Sequence, residues 1–410
     1  MRTRAGLGIA LLILGACAKA PPTPPAPVPA PDTAAPPPIP QPSPPAAAVE
    51  PAPPPRILSS VTFAFAGDIN LGTLTVPGGV PPREGRGLFD ASKPALTGDL
   101  VIGNFEGVLG DSGTTYKCGR LGKHVTFADT VTPKPPPVER KRKKKPEPPR
   151  TCYAFLTPVM LAPRLVDGGF THLNLANNHA SDFGADARAT TERVLDSLGL
   201  RTYGPLGSIA MDTVRKGDSL TTVGVIGFTT YAYAYDLLDI ARSAAVVDSV
   251  RAMVDLLVVT FHGGAEGSKA LHVPEAAESL SREPRGDLRA WARAVIDAGA
   301  DAVVGHGPHV LRGIEFYQGK PIAYSLGNFL TYRGFNLSGP LGLTGVLQFE
   351  LGPDRAWRRG RFVPMMQLPL AGPAPDSTRA ALELIGTLSR EDFPGSAARF
   401  TEDGEILPPE

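Results

Sequence analysis

Cysteine is scarce in this chain, with three in 410 residues. That excludes a thiolate-rich structural zinc centre, which needs several cysteines gathered at one place. Net charge is also nearly absent: 41 Lys+Arg against 40 Asp+Glu leave +1, so charge points to neither a nucleic acid nor an acidic polymer as partner. Long apolar runs are missing too. The run Leu7–Leu14 is too short to cross a bilayer as a helix. No internal repeat is visible.

Proline, by contrast, is abundant, 45 residues and about twice ordinary usage. It is concentrated at the front, so the folded part is smaller than the chain. Arg2 and Arg4 precede the apolar run, and Leu14-Gly15-Ala16-Cys17 follows it. This order is that of a secretion signal, and its end resembles a bacterial lipobox with Cys17 as lipid acceptor. An ordinary signal peptide that happens to hold a cysteine is the alternative. Residues 18–56 are almost wholly Pro, Ala and small polar residues, which cannot bury a core and are expected to form a disordered, extended tether. Residues 111–151 interrupt the later pattern with prolines bracketing the run Glu139–Lys145. A solvated, disordered insertion tip is expected there, a polyanion contact being the other possibility. In an exported protein Cys118 and Cys152 are expected to pair across the base of this insertion; two separately buried thiols are the alternative.

From Val61 onward the pattern is of apolar runs that end in polar residues. VTFAFA is followed by Gly67-Asp68, Leu100–Ile102 by Gly103-Asn104-Phe105-Glu106, and Phe170–Leu175 leads into Asn177, Asn178 and His179. Leu256–Phe261 ends in His262, with Glu266 nearby. Ala302–Val304 ends in His306 and His309, and Ile322–Leu326 in Asn328. Helices are expected over Leu88–Leu96, Asp186–Leu198, Asp287–Ala298 (Asp287 as N-cap, Gly299 at the far end) and Ser377–Leu388. The alternation argues an α/β fold with a buried sheet, where ligands bind beyond the carboxyl ends of strands. GVLQFEL and RGRFVPMMQL, without helices between them, are expected to form a second, antiparallel sheet. Tyr231, Tyr233 and Tyr235 alternate at period two and are expected as strand packing or a cleft wall.

Taken singly, each polar residue has a plain explanation: Gly67-Asp68 as a turn, Glu106 as a surface carboxylate, Asn177 as a cap, His306 or His309 as a satisfied loop histidine, Asn328 as a brace for backbone. Together they mix carboxylates, imidazoles and an amide oxygen, the donor set of divalent first-row metals rather than of Mg or Ca. One or two ions, Mn, Zn or Fe, are expected. His124, His172 and His272 fall outside the pattern.

The ordered segments AGDINLG, GNFEG, LANNHASDFG, FHGGAE, GHGPHVL and YSLGNF resemble the CapA-type capsule-synthesis (poly-γ-glutamate biosynthesis) family, related to the calcineurin-like metallophosphoesterases. The resemblance covers about 61–368. It implies a metallophosphoesterase-like α-β-β-α sandwich over 57–370, with a C-terminal helix and tail over 371–410. It implies metal ligands at Asp68, Glu106, Asn178, His262, His306 and His309, and Asp68, Asn178 and His179 at the catalytic centre, His179 steadying the scissile group or protonating its leaving oxygen. Asn104 orients Glu106, and Asn177, Glu266 and Asn328 fall behind the ligands or toward the substrate. The implied function is a surface-anchored protein of capsule-polymer synthesis or export with a metal-dependent hydrolase site. A non-catalytic polymer-binding or scaffolding lipoprotein is the alternative. The implied partners are a membrane through the Cys17 lipid, an anionic envelope polymer and a synthase or export complex. Three positions depart from the family pattern. Asn70 stands where a histidine follows the first aspartate in true phosphoesterases, Gly307 where the family has the middle histidine of its Gly-His-His-Pro-His segment, and Gly263 where an aromatic follows His262.

Overall fold

The computed structural model describes residues 57–117, 122–128 and 153–410. The signal peptide, the tether, the basic run 139–145 and the three cysteines expected as lipid acceptor and disulfide lie outside the described residues.

The strand Val61–Asn70 is buried along nearly its whole length, and its two faces enter two different cores. Phe63 and Phe65 join Val223, Val225, Val258 and Val304 in one cluster. Ala64 and Ala66 join Leu165, Leu173 and Leu195 in another. The period of two along a strand sends neighbours to opposite faces, so a strand covered on both sides reads as a continuous apolar run.

Two sheets share the first of these cores. One runs Gly372–Pro375, Trp357–Leu368, Leu343–Leu351, Val61–Asn70, Leu100–Phe105, His172–Asn174, Arg201–Tyr203, with Asn328–Thr331 also pairing to Val61–Asn70. The other runs Tyr235–Asp236, Ser219–Thr229, Leu256–His262, Ala302–His306, Lys320–Ala323, Ile314–Tyr317, with Ala210–Lys216 also pairing to Ser219–Thr229. Helices Pro163–Gly168 and Gly184–Ser197 send Leu165 and Leu195 into the outer face of the first sheet. Helices Ile240–Arg251 and Leu288–Asp297 cover the outer face of the second. The result is the expected four-layered α-β-β-α sandwich. Helix Ala380–Asp392 adds Ala381, Leu382 and Ile385 to the central core.

Two expectations fail. The C-terminal strands do not form a sheet of their own. Leu343–Leu351 pairs antiparallel with Val61–Asn70, Phe63 opposite Phe349, because the edge of the parallel half would otherwise carry a row of unpaired backbone groups. Nor is Leu88–Leu96 an α-helix. It is a series of turns ending in a 3-10 turn at Lys93–Ala95, since a helix there would place Pro94, which lacks an N–H, within its interior.

Helix Leu288–Asp297 forms where its cap and apolar stripe agree. Asp287 Oδ1 accepts the Ala290 N–H at 3.1 Å, and Leu288, Trp291, Ala292, Val295 and Ile296 are buried. Trp291 is fully buried, edge-on to Phe228 and Phe261 at centroid distances of 5.2 and 5.3 Å. Trp291→Ala is expected to cost about 3–5 kcal/mol of unfolding free energy; a denaturant midpoint unchanged from the parent would contradict this packing.

Candidate metal centre

Register brings the polar residues into two facing rows. In the first sheet Asp68 pairs with Asn104 on one side and Asn328 on the other, and Asn104 pairs with Asn174. In the second sheet His262 pairs with His306. All of these strands run parallel there, so their carboxyl ends reach the same edge of the sandwich. Gly67 allows the closest approach, since a Cβ at that position would overlap the Gly327 carbonyl oxygen. The Asp68 N–H donates to that same oxygen at 2.9 Å.

Across the gap the rows touch. His309 Nδ1 lies 3.0 Å from Asp68 Oδ2, and His306 Nδ1 3.6 Å from Asp68 Oδ1. His262 Nε2 is 3.7 Å from Glu106 Oε1, and His309 Nδ1 3.8 Å from Glu106 Oε2. One ligand atom from each of Asp68, Glu106 and His309 lies within 4.8 Å of the others. His309 reaches this place with a left-handed backbone, φ 61°, strained for a residue with a Cβ and held by its surroundings. One brace is the Asn328 amide, which donates to the carbonyls of His309 and Leu341.

Unanswered polar atoms in the donor set mark a place for a cation. Among the described residues, the buried polar atoms without a hydrogen-bond partner include both Glu106 carboxylate oxygens, His262 Nε2, both His306 nitrogens, and the side-chain oxygens of Asn178 and Asn328. Buried polar groups are normally satisfied, and a concentration of unsatisfied acceptors on two carboxyl-end rows is what a divalent ion would answer. The residues fit such an ion.

Electrostatics agree. Burial pushes the Glu106 carboxyl well above its ordinary value, with Asp68 and Glu266 adding repulsion that the His309 charge only partly offsets. Burial opposes a charged His309, yet Glu106 and the Asp68 hydrogen bond outweigh it and raise the imidazole to about 10. Asp68 is held below its usual range despite burial, chiefly by the His309 hydrogen bond. Burial takes His306 down to about 4 and His262 well below its ordinary value.

An amide relay orients Asp68 rather than the expected Glu106, whose two carboxylate oxygens have no hydrogen-bond partner among the described residues. Asn104 Nδ2 donates to Asp68 Oδ1 at 2.8 Å, and Asn104 Oδ1 accepts from Asn174 at 3.0 Å and Asn177 at 3.1 Å. Asn177 also turns the chain, its Oδ1 accepting the His179 N–H at 3.0 Å. His179, buried, sits 2.7 Å from Asp182 Oδ2 through Nδ1, and its ring packs on Phe155 at 4.3 Å. Lys117 donates to Asp182 Oδ1 at 2.7 Å and to the Asn178 carbonyl at 3.0 Å. Glu266 stands at the margin, 3.9 Å from His309 Nε2 and paired with buried Arg285 at 2.8 Å. Asn174, Asp182 and Lys117 were not singled out for a role from sequence. An asparagine inside an apolar run and an aspartate three residues after His179 were the available signals; nothing local marks Lys117.

Residues 136–333 match the model of the bacterial capsule synthesis protein PGA_cap family. This stretch, just under half of the chain, is what is similar to the CapA-type capsule-synthesis family. The chain is 32% identical over 226 residues to the PGA biosynthesis protein CapA of Bacillus subtilis, covering 52% of this chain and 54% of that one. It is 33% identical over 187 residues to the capsule biosynthesis protein CapA of Bacillus anthracis, covering 41% and 42%. The chain thus spans about half the length of these relatives. A solved 5'-nucleotidase precursor from Thermus thermophilus is 15% identical, with a TM-score of 0.40 over 82% of this chain and 59% of that one.

The three positions expected to depart from the related motifs, Asn70, Gly307 and Gly263, have local surroundings that suit the residues present. Asn70 is fully buried, with Nδ2 donating to the Glu106 carbonyl at 2.8 Å and Oδ1 accepting the Gly72 N–H at 3.1 Å, so both ends of its amide are engaged in holding backbone. Gly307 has φ 113°, and a Cβ there would lie 2.7 Å from the Gly263 carbonyl oxygen. A side chain at 307 would thus strike the backbone at 263, while one at 263 would strike Leu237 Cδ2 and, at 2.9 Å, the Arg285 carbonyl oxygen.

Ligation requires Glu106 ionised and His309 neutral. His309, raised to about 10, carries a proton near neutrality when no ion is present, and the raised Glu106 carboxyl holds its proton to higher pH than usual, so ion binding releases protons and affinity rises with pH. Titrating chelator-treated protein with Zn or Mn at pH 7 in two buffers of different ionisation enthalpy is expected to show about one to two protons released per ion. Identical heats in both buffers would contradict the arrangement.

Proposed function

We propose that the chain is a metal-dependent hydrolase of the phosphoesterase type, working at the cell surface in capsule-polymer synthesis or export, anchored by a lipid on Cys17 and a Pro-rich tether. The supporting observation is the set of unpartnered buried acceptors from both sheets around Asp68, Glu106 and His309. Asp68, Glu106, Asn178, His262, His306 and His309 would hold one or two divalent ions. Such an ion supplies Lewis acidity and lowers the pKa of a water.

The chain's own residues supply positioning and a proton. Asp182 accepts from His179 Nδ1, which fixes the tautomer and leaves Nε2 to carry a proton toward a leaving oxygen. Burial holds the His179 pKa below its ordinary value against the Asp182 charge, so the acid form of the imidazole is populated on the acidic side and general-acid activity falls as pH rises toward neutrality. Lys117 keeps the Asp182 carboxylate in place. The Asn174 and Asn177 amides hold Asn104, and through it Asp68, in one orientation.

A non-catalytic, polymer-binding role in the same machinery is favoured by one observation. The Asn70 amide is engaged with backbone at both ends, so the family-related histidine position offers no ligand.

The deciding experiment measures metal content and hydrolysis of generic phosphodiester and γ-glutamyl substrates together. Asp68→Ala is expected to lose bound metal and activity. His179→Ala is expected to retain metal but lose about 10²–10⁴-fold in kcat. Substoichiometric metal after exposure to Mn or Zn, with activity unchanged in both variants, would remove catalysis from the account.

A further inference from the structure

Beside Asn178 and Asp182 opens a cavity of about 510 Å³, within the size range of small-molecule sites. Tyr116, Phe183, Tyr231 and Tyr233 line it, with Lys117 and Asn178 at the edge nearest the candidate centre. Tyr231 and Tyr233 lie in the turn that precedes the strand Tyr235–Asp236, so they are a cleft wall rather than strand packing.

The polar groups of this wall are already answered. The Tyr231 hydroxyl donates to Glu283, and the Tyr233 hydroxyl to the backbone carbonyls of Asn177 and Leu175. Ser181 accepts from Arg188 at 2.7 Å, and the Arg188 guanidinium lies 4.9 Å from the Tyr233 ring centroid. Lys117 is neutralised by Asp182 at 2.7 Å, whose other oxygen accepts from Phe155 N and faces His179. A charged guest would be desolvated here without gaining a counter-charge. Aromatic carbon is what remains for a guest to touch, and Tyr116, 71% exposed, has much of its ring to cover. Among the described residues of the wall, the buried unpartnered atom is Asn178 Oδ1, which joins the cavity to the candidate ligand set.

We propose that this cavity is a subsite for an uncharged planar or apolar group on the substrate. The assignment deepens the hydrolase function proposed above and rests on it for the identity of that group, which is then the leaving group. Hydrolysis breaks the bond between phosphorus and the leaving oxygen and joins the oxygen of water to phosphorus. The leaving oxygen departs with a proton from His179 Nε2, and the proton released by water restores the imidazole.

The test separates the cavity from the chemistry. Binding of 1-naphthol, a neutral planar probe, to the purified full chain is followed by fluorescence. Tyr116→Ala and Tyr231→Ala are expected to weaken it by about tenfold each, while Tyr231→Phe, which keeps the ring, leaves it unchanged. In metal-loaded protein phenylphosphonate is expected to displace the probe and methylphosphonate is not. Truncating the exposed Tyr116 leaves the fold intact, so a loss in that variant reports the cavity. No naphthol binding, equal binding in all variants, or equal displacement by the two phosphonates overturns the proposal. Naphthol binding with the expected variant pattern, but no phosphoester cleaved, removes the hydrolase function and leaves the cavity as a planar-group site.

Discussion

Two carboxylates, Asp68 and Glu106, are buried together at the carboxyl edge of the sandwich. Everything around them is arranged to supply the positive charge that burial demands. Burying an ion far from water is costly unless a partner compensates it. In this protein the compensation comes across the gap between sheets from His309 alone, while His262 and His306, whose imidazoles burial keeps uncharged, stand at slightly longer range as neutral donor groups. The acceptors that remain unanswered define a place for a cation. The structure is thus organised around a charge deficit.

That deficit explains features that would otherwise look unrelated. The strained backbone of His309 and the Asn328 brace hold an imidazole where no relaxed loop would put it. The Asn174, Asn177 and Asn104 amides form a short chain whose last N–H fixes one oxygen of Asp68. Below the centre, buried Arg312 grips Glu278 through two hydrogen bonds of 2.9 and 2.7 Å and also donates to the carbonyls of Ala265 and Ala270. It thereby holds the loop that follows His262. These contacts lie around the ligands rather than among them, and they restrict the directions the ligands can take.

The aromatic cavity beside Asn178 has the opposite character. Its wall has its hydrogen bonds made within the protein and presents carbon, whereas the adjacent centre has bonds left open. A substrate that spans both would place its charged, reacting part on the unsatisfied atoms and its uncharged part on the rings. The division follows from which polar atoms each region has already paired, and it applies to a catalytic or a purely binding role alike.

Much was legible in the order of residues. Apolar runs that end in Asp68, Asn104, His262 and His306 signal strands whose carboxyl ends carry ligands, because a strand buried on both faces needs continuous hydrophobicity and its polar residues gather where it ends. The helix capped by Asp287 was equally clear, since cap, stripe and terminal glycine are all local. The sequence alone could not tell that Leu343–Leu351 would extend the first sheet, because pairing depends on which edge is left open. Nor could it identify Lys117 as a partner of Asp182 and the Asn178 carbonyl, or show that a side chain at 307 would meet the backbone at 263. Those relations join residues distant along the chain, and only packing in three dimensions makes them neighbours. Residue types and their spacing determined which groups were available; the tertiary structure decided which atoms remain unpaired, because that depends on every contact made around them.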